Sequence, residues 1–167
     1  KRKGYPADQV VAMQDRLESV GTQYGINFQF DKAKSFNTGN IHRLLQWAKK
    51  ENKADELKEQ LMHAYFTEGV DLNNTTNIIS VVIKSGLDTS SAKVILKGTD
   101  YQTEVKNDFV RAKELGIRGV PYFLINGTQV ISGAQDDNVF LKTLKKALKN
   151  SKASNIPITG VCLPNGR

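Results

Sequence analysis

The sequence predicts an α/β protein that is mostly helical, with one β-hairpin near its C-terminal end and a final helix after it. Three observations carry this reading. Apolar residues recur at helical spacing through most of the first 115 positions. The stretch Gly119-Val120-Pro121-Tyr122-Phe123-Leu124-Ile125-Asn126-Gly127-Thr128-Gln129-Val130-Ile131-Ser132-Gly133 reads instead as two short strands around Asn126-Gly127, the dipeptide a type I′ turn favours. A last helical pattern opens at Asp136-Asp137, where two carboxylates favour the positive end of a helix.

Val10, Met13, Leu17, Val20 and Tyr24 place a first helix over about 7–24, with one apolar stripe and Gly25 as its stop. Phe28 and Phe30 alternate with polar residues and suggest a short extended piece. Asn37 or Thr38 can cap a second helix that buries Ile41, Leu44, Leu45 and Ala48. After Asn52 a third helix, about 54–68, carries Leu57, Leu61, Ala64 and Tyr65. Their short connection makes these two helices neighbours. Asn74-Thr75-Thr76 starts a fourth helix with Ile78, Ile79, Val82 and Ile83. Leu87-Asp88-Thr89 starts a short fifth helix that stops at Gly98. A sixth, about 100–115, should turn Tyr101, Val105, Phe109, Ala112 and Leu115 inward. In the hairpin, Tyr122 and Leu124 point one way and Phe123 and Ile125 the other, so both faces need helical cover. Pro121 stands at the strand's start, where a missing N–H costs least. The final helix sets Phe140, Leu144 and Leu148 toward the core, with Lys145, Lys146 and Lys149 near its negative end. From Ser151 the pattern reads as a linker and tail.

Composition narrows the function classes. The 167 residues, 39% hydrophobic and 8% aromatic, suffice for one domain with a sizeable core. No apolar run approaches the roughly 20 residues that cross a bilayer. Lys1-Arg2-Lys3-Gly4 lacks a following apolar segment, so no signal peptide is read, although the first residue is not Met. One cysteine excludes an intrachain disulfide and a cysteine-based zinc site; with only His42 and His63 besides, no metal is expected. The formal charge is +7, but the lysines are spread over several helices among Asp and Glu, without an aromatic-basic stripe. Neither a nucleic-acid nor a membrane partner is expected.

The segments Gly119-Val120-Pro121-Tyr122-Phe123, Leu124-Ile125-Asn126-Gly127 and Ser132-Gly133-Ala134-Gln135 resemble the C-terminal half of DsbA-like thioredoxin-fold proteins. The likeness is strongest to a branch of cytoplasmic dithiol oxidoreductases associated with polyketide biosynthesis, related to 2-hydroxychromene-2-carboxylate isomerases and kappa-class glutathione transferases. Asn37-Thr38 with His42-Arg43-Leu44-Leu45, Ala64-Tyr65-Phe66-Thr67-Glu68-Gly69, and Leu115-Gly116-Ile117 fit the same branch. The resemblance covers roughly residues 8–148 and implies a truncated thioredoxin-like fold of DsbA type.

It further implies a cis bond before Pro121 and an exposed Val120 backbone, on which an extended substrate aligns by strand addition. Gly119, Val120 and Pro121 become the expected substrate-binding residues. His42 either lines the cleft or is a partly exposed helix histidine; His63 is expected to have no catalytic role. Cys162 in the tail is either a redox thiol or an unreactive residue. Such proteins carry Cys-x-x-Cys, or a serine variant, at a helix N-terminus, where the dipole favours the thiolate. This sequence holds no such pair, so no catalytic residue is assigned. Residues 1–115 then read as the inserted helical subdomain, 116–150 as the C-terminal half of the thioredoxin fold, and 151–167 as linker and tail.

The expected function is that of the substrate-binding and helical part of a thiol–disulfide oxidoreductase, acting on a thiol or disulfide protein or small molecule. Alternatives are a glutathione-dependent isomerase or transferase of the same fold, and a non-catalytic binding module. No cofactor is expected under the first reading; glutathione is under the second. The chain reads as a fragment, inactive alone, with a genuine short form as the alternative. Its Tyr122–Ile125 edge should pair with a second copy or rearrange locally. Sparse cysteine and the resemblance suggest the cytoplasm.

Overall fold

The structure, a computed structural model, describes residues 6–153, with side chains through Asn150. Seven helices and two strands follow one another: α1 (Ala7–Gln23), α2 (Gly39–Lys50), α3 (Ala54–Phe66), α4 (Thr75–Lys84), α5 (Thr89–Lys97), α6 (Gln102–Glu114), β1 (Tyr122–Ile125), β2 (Gln129–Ser132) and α7 (Asp137–Ala153). None of the described helices is long and apolar enough to cross a membrane. The chain divides into two compact units, residues 1–109 and 110–167, with the division inside α6.

The first unit is built on α2 to α5. Each packs against its sequence neighbour, and α5 returns to α2. Leu44, Leu57 and Val82 are its most enclosed large side chains, with Trp47, Leu61, Ile78 and Ile95 around them. Local chemistry sets the helix starts. The Asn74 side chain accepts from the Thr76 N–H and that of Asp88 from the Ser91 N–H, each relieving a donor that the first turn leaves unpaired. At α2, Thr38 occupies the cap position without a side-chain bond; Asn37 Oδ1 instead accepts from the Gly39 N–H at 2.9 Å. Residues 26–36 are irregular, and no strand forms at Phe28 and Phe30. Those rings stack at 5.0 Å and both meet Phe66 edge-on, while the Gln29 N–H donates to the Phe66 carbonyl at 2.7 Å. Ring packing onto α3, rather than strand pairing, holds this segment.

Two helical stripes depart from expectation. On α1, Val10, Met13, Leu17 and Val20 are 39–55% exposed and Gly21 alone is buried; Tyr24, just past the helix end, is more exposed still. On α6 no residue is buried, and Phe109 is 67% exposed. Spacing defines a face, but burial requires a second surface, and α2 to α5 already cover one another. The first half of α6 is tied to α2 by polar contacts: Gln46 Nε2 to Asp108 Oδ2 at 2.5 Å, and Lys50 Nζ to Glu104 Oε1 at 3.9 Å.

In the second unit β1 and β2 pair antiparallel, with Phe123 opposite Ile131 and Ile125 opposite Gln129. Both Asn126 and Gly127 have positive φ, and the Thr128 N–H donates to the Ile125 carbonyl at 3.2 Å, closing the expected turn. Thr128 is one residue more than a two-residue hairpin needs, so the register is shifted by one. Helix α7 packs on β2. Phe140 meets the Phe123 ring edge-on at 5.0 Å, and Ile131 and Ala147 are buried. The opposite face, Leu124 and Val130, remains 37% and 48% exposed, so only one sheet face has its helix within this unit. Leu144 and Leu148 are also about half exposed, because Ala147 takes the inward position. The helix runs to Ala153, three residues into the stretch read as a linker.

Candidate substrate-aligning site

The expected site residues follow α6. That helix ends at Glu114; Gly116, with φ +70°, turns the chain out of it, and the Ile117 N–H returns to the Ala112 carbonyl at 3.0 Å. Residues 117–120 then lead to β1 through a cis Val120–Pro121 bond. Val120 is 89% exposed, the most exposed large apolar side chain described. Its N–H and C=O make no backbone hydrogen bond among the described residues. Gly119 has open space on the side where a Cβ would project.

The second signature segment folds back on the first. The Gly133 N–H donates to the Pro121 carbonyl at 2.8 Å, prolonging the β1–β2 ladder by one bond. Gly133 has φ +80°, a conformation that side-chain-bearing residues rarely adopt, and it lets the chain leave β2 immediately after that bond. Gln135 Nε2 then donates to the Ser132 carbonyl at 2.9 Å. Pairing from Pro121 onward thus uses the inner side of β1. Among the described residues its other side has no strand partner. The arrangement can present main-chain donors and acceptors to an extended segment. It supplies no nucleophile and no general base.

The remaining candidates fall elsewhere. His42 is exposed on α2 in the first unit, its ring 6.5 Å from that of Phe109. Gly119, Val120 and Pro121 belong to the second unit. His63 Nδ1 lies 3.4 Å from Glu68 Oε1, which also takes Lys84 Nζ at 3.1 Å, an exposed surface cluster. Cys162 lies outside the described residues. No group of three or more His, Cys, Asp or Glu that could hold a metal ion occurs among the described residues.

Sequence reasoning missed one feature of the first unit. A groove of about 590 Å³ opens beside Trp47, with Lys50 Nζ 4.5 Å above the Tyr101 ring. Tyr101 has φ +64°, unusual for an aromatic residue, and it directly precedes α6. No pattern of residue types marked that turn.

Residues 2–148 match the family described as DSBA-like thioredoxin domain. The chain is similar to a crystal structure of a probable DsbA oxidoreductase from Streptomyces coelicolor, with a TM-score of 0.84 and 25% identity. The match covers 99% of this chain and 71% of that one. It is also 31% identical over 104 residues to YwbO, an uncharacterized protein of Bacillus subtilis (strain 168). That match takes in 62% of this chain and about half of the relative, 52%. The second unit's hairpin and final helix, and the helices that precede them, are therefore those of a DsbA-like thioredoxin fold, and the chain belongs to the DSBA-like thioredoxin domain family.

Proposed function

We propose that this chain is the helical and substrate-aligning part of a DsbA-type thiol–disulfide oxidoreductase. The observation that carries the reading is Val120. Among the described residues its main-chain N–H and C=O are free, at the head of a strand whose outer edge is unpaired. An extended substrate bonded there would hold its disulfide in register for a thiolate supplied from outside this chain. Attack by that thiolate on one sulfur breaks the substrate S–S bond and forms a mixed disulfide. The second substrate sulfur leaves as a thiolate. Gly119 leaves room for the approaching main chain, and Pro121 commits its carbonyl to Gly133, so Val120 is the next main-chain group available.

Amide shifts of the ¹⁵N-labelled chain test this during titration with a short extended peptide carrying a disulfide. The expected shifts centre on residues 118–125. Shifts confined to the first unit would overturn the reading. Glutathione moving the Val120 amide more than the peptide does would favour the isomerase or transferase reading. In an insulin-reduction assay the chain alone should be inactive, and turnover would contradict it. The same unpaired edge supports a second copy pairing across Tyr122–Ile125. The sparse cysteine fits a cytoplasmic setting.

A further inference from the structure

The charge of this protein is not shared between its two units. Residues 1–109 hold fifteen Lys and Arg against fourteen Asp and Glu. Residues 110–167 hold nine against three, a net of six from nine minus three, out of +7 for the whole chain. Among the described residues every ion pair joins residues of the first unit. The described basic groups of the second unit, Arg111, Lys113, Arg118, Lys142, Lys145, Lys146 and Lys149, thus form no ion pair among the described residues. Lys142, Lys145, Lys146 and Lys149 are exposed on α7. At 100° per residue they stand opposite Phe140 and Ala147, which face the hairpin. Arg118 is exposed two residues before Val120. The nearby carboxylates are few. Glu114 ends α6, Asp137 begins α7, and Asp136 just before it accepts from the Asn138 N–H through Oδ1 at 2.9 Å.

We infer that the β1 edge takes acidic extended polypeptide segments, selected and drawn in by the unpaired positive charge of its own unit. The inference rests on the reading of Val120 as a main-chain aligning residue. The free edge recognises any extended main chain, since backbone bonds carry no side-chain information. An unneutralised positive unit adds discrimination, because a field of one sign raises the encounter rate of oppositely charged segments and repels like ones. A polypeptide fits better than a nucleic acid. The unpaired main chain at Val120 complements another main chain, and the lysine face of α7 presents no aromatic ring for base stacking.

The test uses the 167-residue chain and two labelled extended peptides of equal length and apolar content. One is flanked by Glu, the other by Gln. Anisotropy should show the acidic peptide binding about 10-fold tighter at about 0.05 M salt, with the gap nearly closed at about 0.5 M. The Val120 amide should shift with both. The K142Q/K145Q/K146Q/K149Q variant, folded by circular dichroism, should reduce the gap to about threefold or less. If that variant does not fold, the wild-type salt titration decides the same question. Equal binding of both peptides with the Val120 amide shifted would overturn the charge inference and leave the aligning role standing. No Val120 shift with either peptide would overturn the aligning role, and this inference with it. A single-stranded oligonucleotide that shifts the lysine amides as strongly as the acidic peptide, while displacing it, would reassign the surface to polyanions.

Discussion

Arg43 of α2 donates from Nη1 to the carbonyl of Gly98, at the C-terminal end of α5, across 2.7 Å. The residue is only 6% exposed, and its Nε and Nη2 have no hydrogen-bond partner among the described residues. The cation thus sits at the negative end of a helix, where the unpaired carbonyls concentrate partial charge. Two effects oppose each other on substitution. Removing the bond should cost about 1.5–3 kcal/mol. Removing a desolvated, incompletely paired cation returns a comparable amount. Arg43→Met keeps the packed stem and should shift unfolding free energy by less than about 1.5 kcal/mol. Arg43→Ala also leaves a cavity and should cost about 3 kcal/mol or more. Urea unfolding of both variants checks this. Equal losses would show that the bond, rather than packing, is what Arg43 contributes.

The caps of α4 and α5 provide a second comparison. Asn74→Ala should cost about 1 kcal/mol, since the Thr76 N–H loses its acceptor. Asp88 is held below the usual carboxylate range, first by the backbone N–H of Ser91 and then by its side chain. A depressed folded value means that the charged cap stabilises the fold above the unfolded value, near 3.9, and that this contribution is lost as pH falls through the lower folded value. The melting temperature of the wild type should exceed that of Asp88→Asn near neutrality, and the gap should close in acid below about pH 4. A gap that stays constant from neutrality into acid would refute a charge-dependent cap.

Gly21 of α1 lies against Phe28. A Cβ built there would fall 2.5 Å from Phe28 Cε2 and 3.0 Å from the Ile26 carbonyl oxygen. Alanine favours a helix interior over glycine by about 1 kcal/mol, so an isolated helix would gain. Here Phe28 is locked against Phe30 and Phe66, and the overlap should win. Gly21→Ala should accelerate amide exchange in α1 while α2 to α5 keep their protection. Combined with Phe28→Ala it should cost less than the two changes summed. Unchanged α1 exchange would mean that this contact does not hold the helix.

Pairing of two copies through β1 makes a prediction opposite in salt dependence to peptide capture. The edge residues Tyr122 to Ile125 are uncharged, but each copy brings a strongly positive unit. Sedimentation equilibrium should show self-association that strengthens with salt, as screening removes repulsion. Leu124→Lys should abolish it by charging the edge. A sharp monomer at all salt concentrations would exclude the copy–copy edge contact.

Much of the architecture was legible in residue order because it is local. Asn74 and Asp88 announce helix starts, and Asn126-Gly127 announces a turn, since each acts on groups two or three positions away. The signature residues of the hairpin were legible for the same reason. The bond from Gly133 to the Pro121 carbonyl was not, because it depends on register, and the extra residue Thr128 sets that register.

The sequence by itself determined which segments are helices, where the hairpin turns, the DsbA-like signature around Val120 and Pro121, and the single cysteine. Only the tertiary structure decided which apolar stripes are buried. Val10, Met13 and Leu17 repeat as regularly as Ile41, Leu44 and Ala48, yet one set stays exposed and the other lies in the core. Periodicity is a property of one helix, whereas burial belongs to two surfaces. Charge followed the same logic. The nine basic and three acidic residues after position 109 are written in the sequence, but only the fold shows that this stretch forms a compact unit of its own, so that those charges share one body.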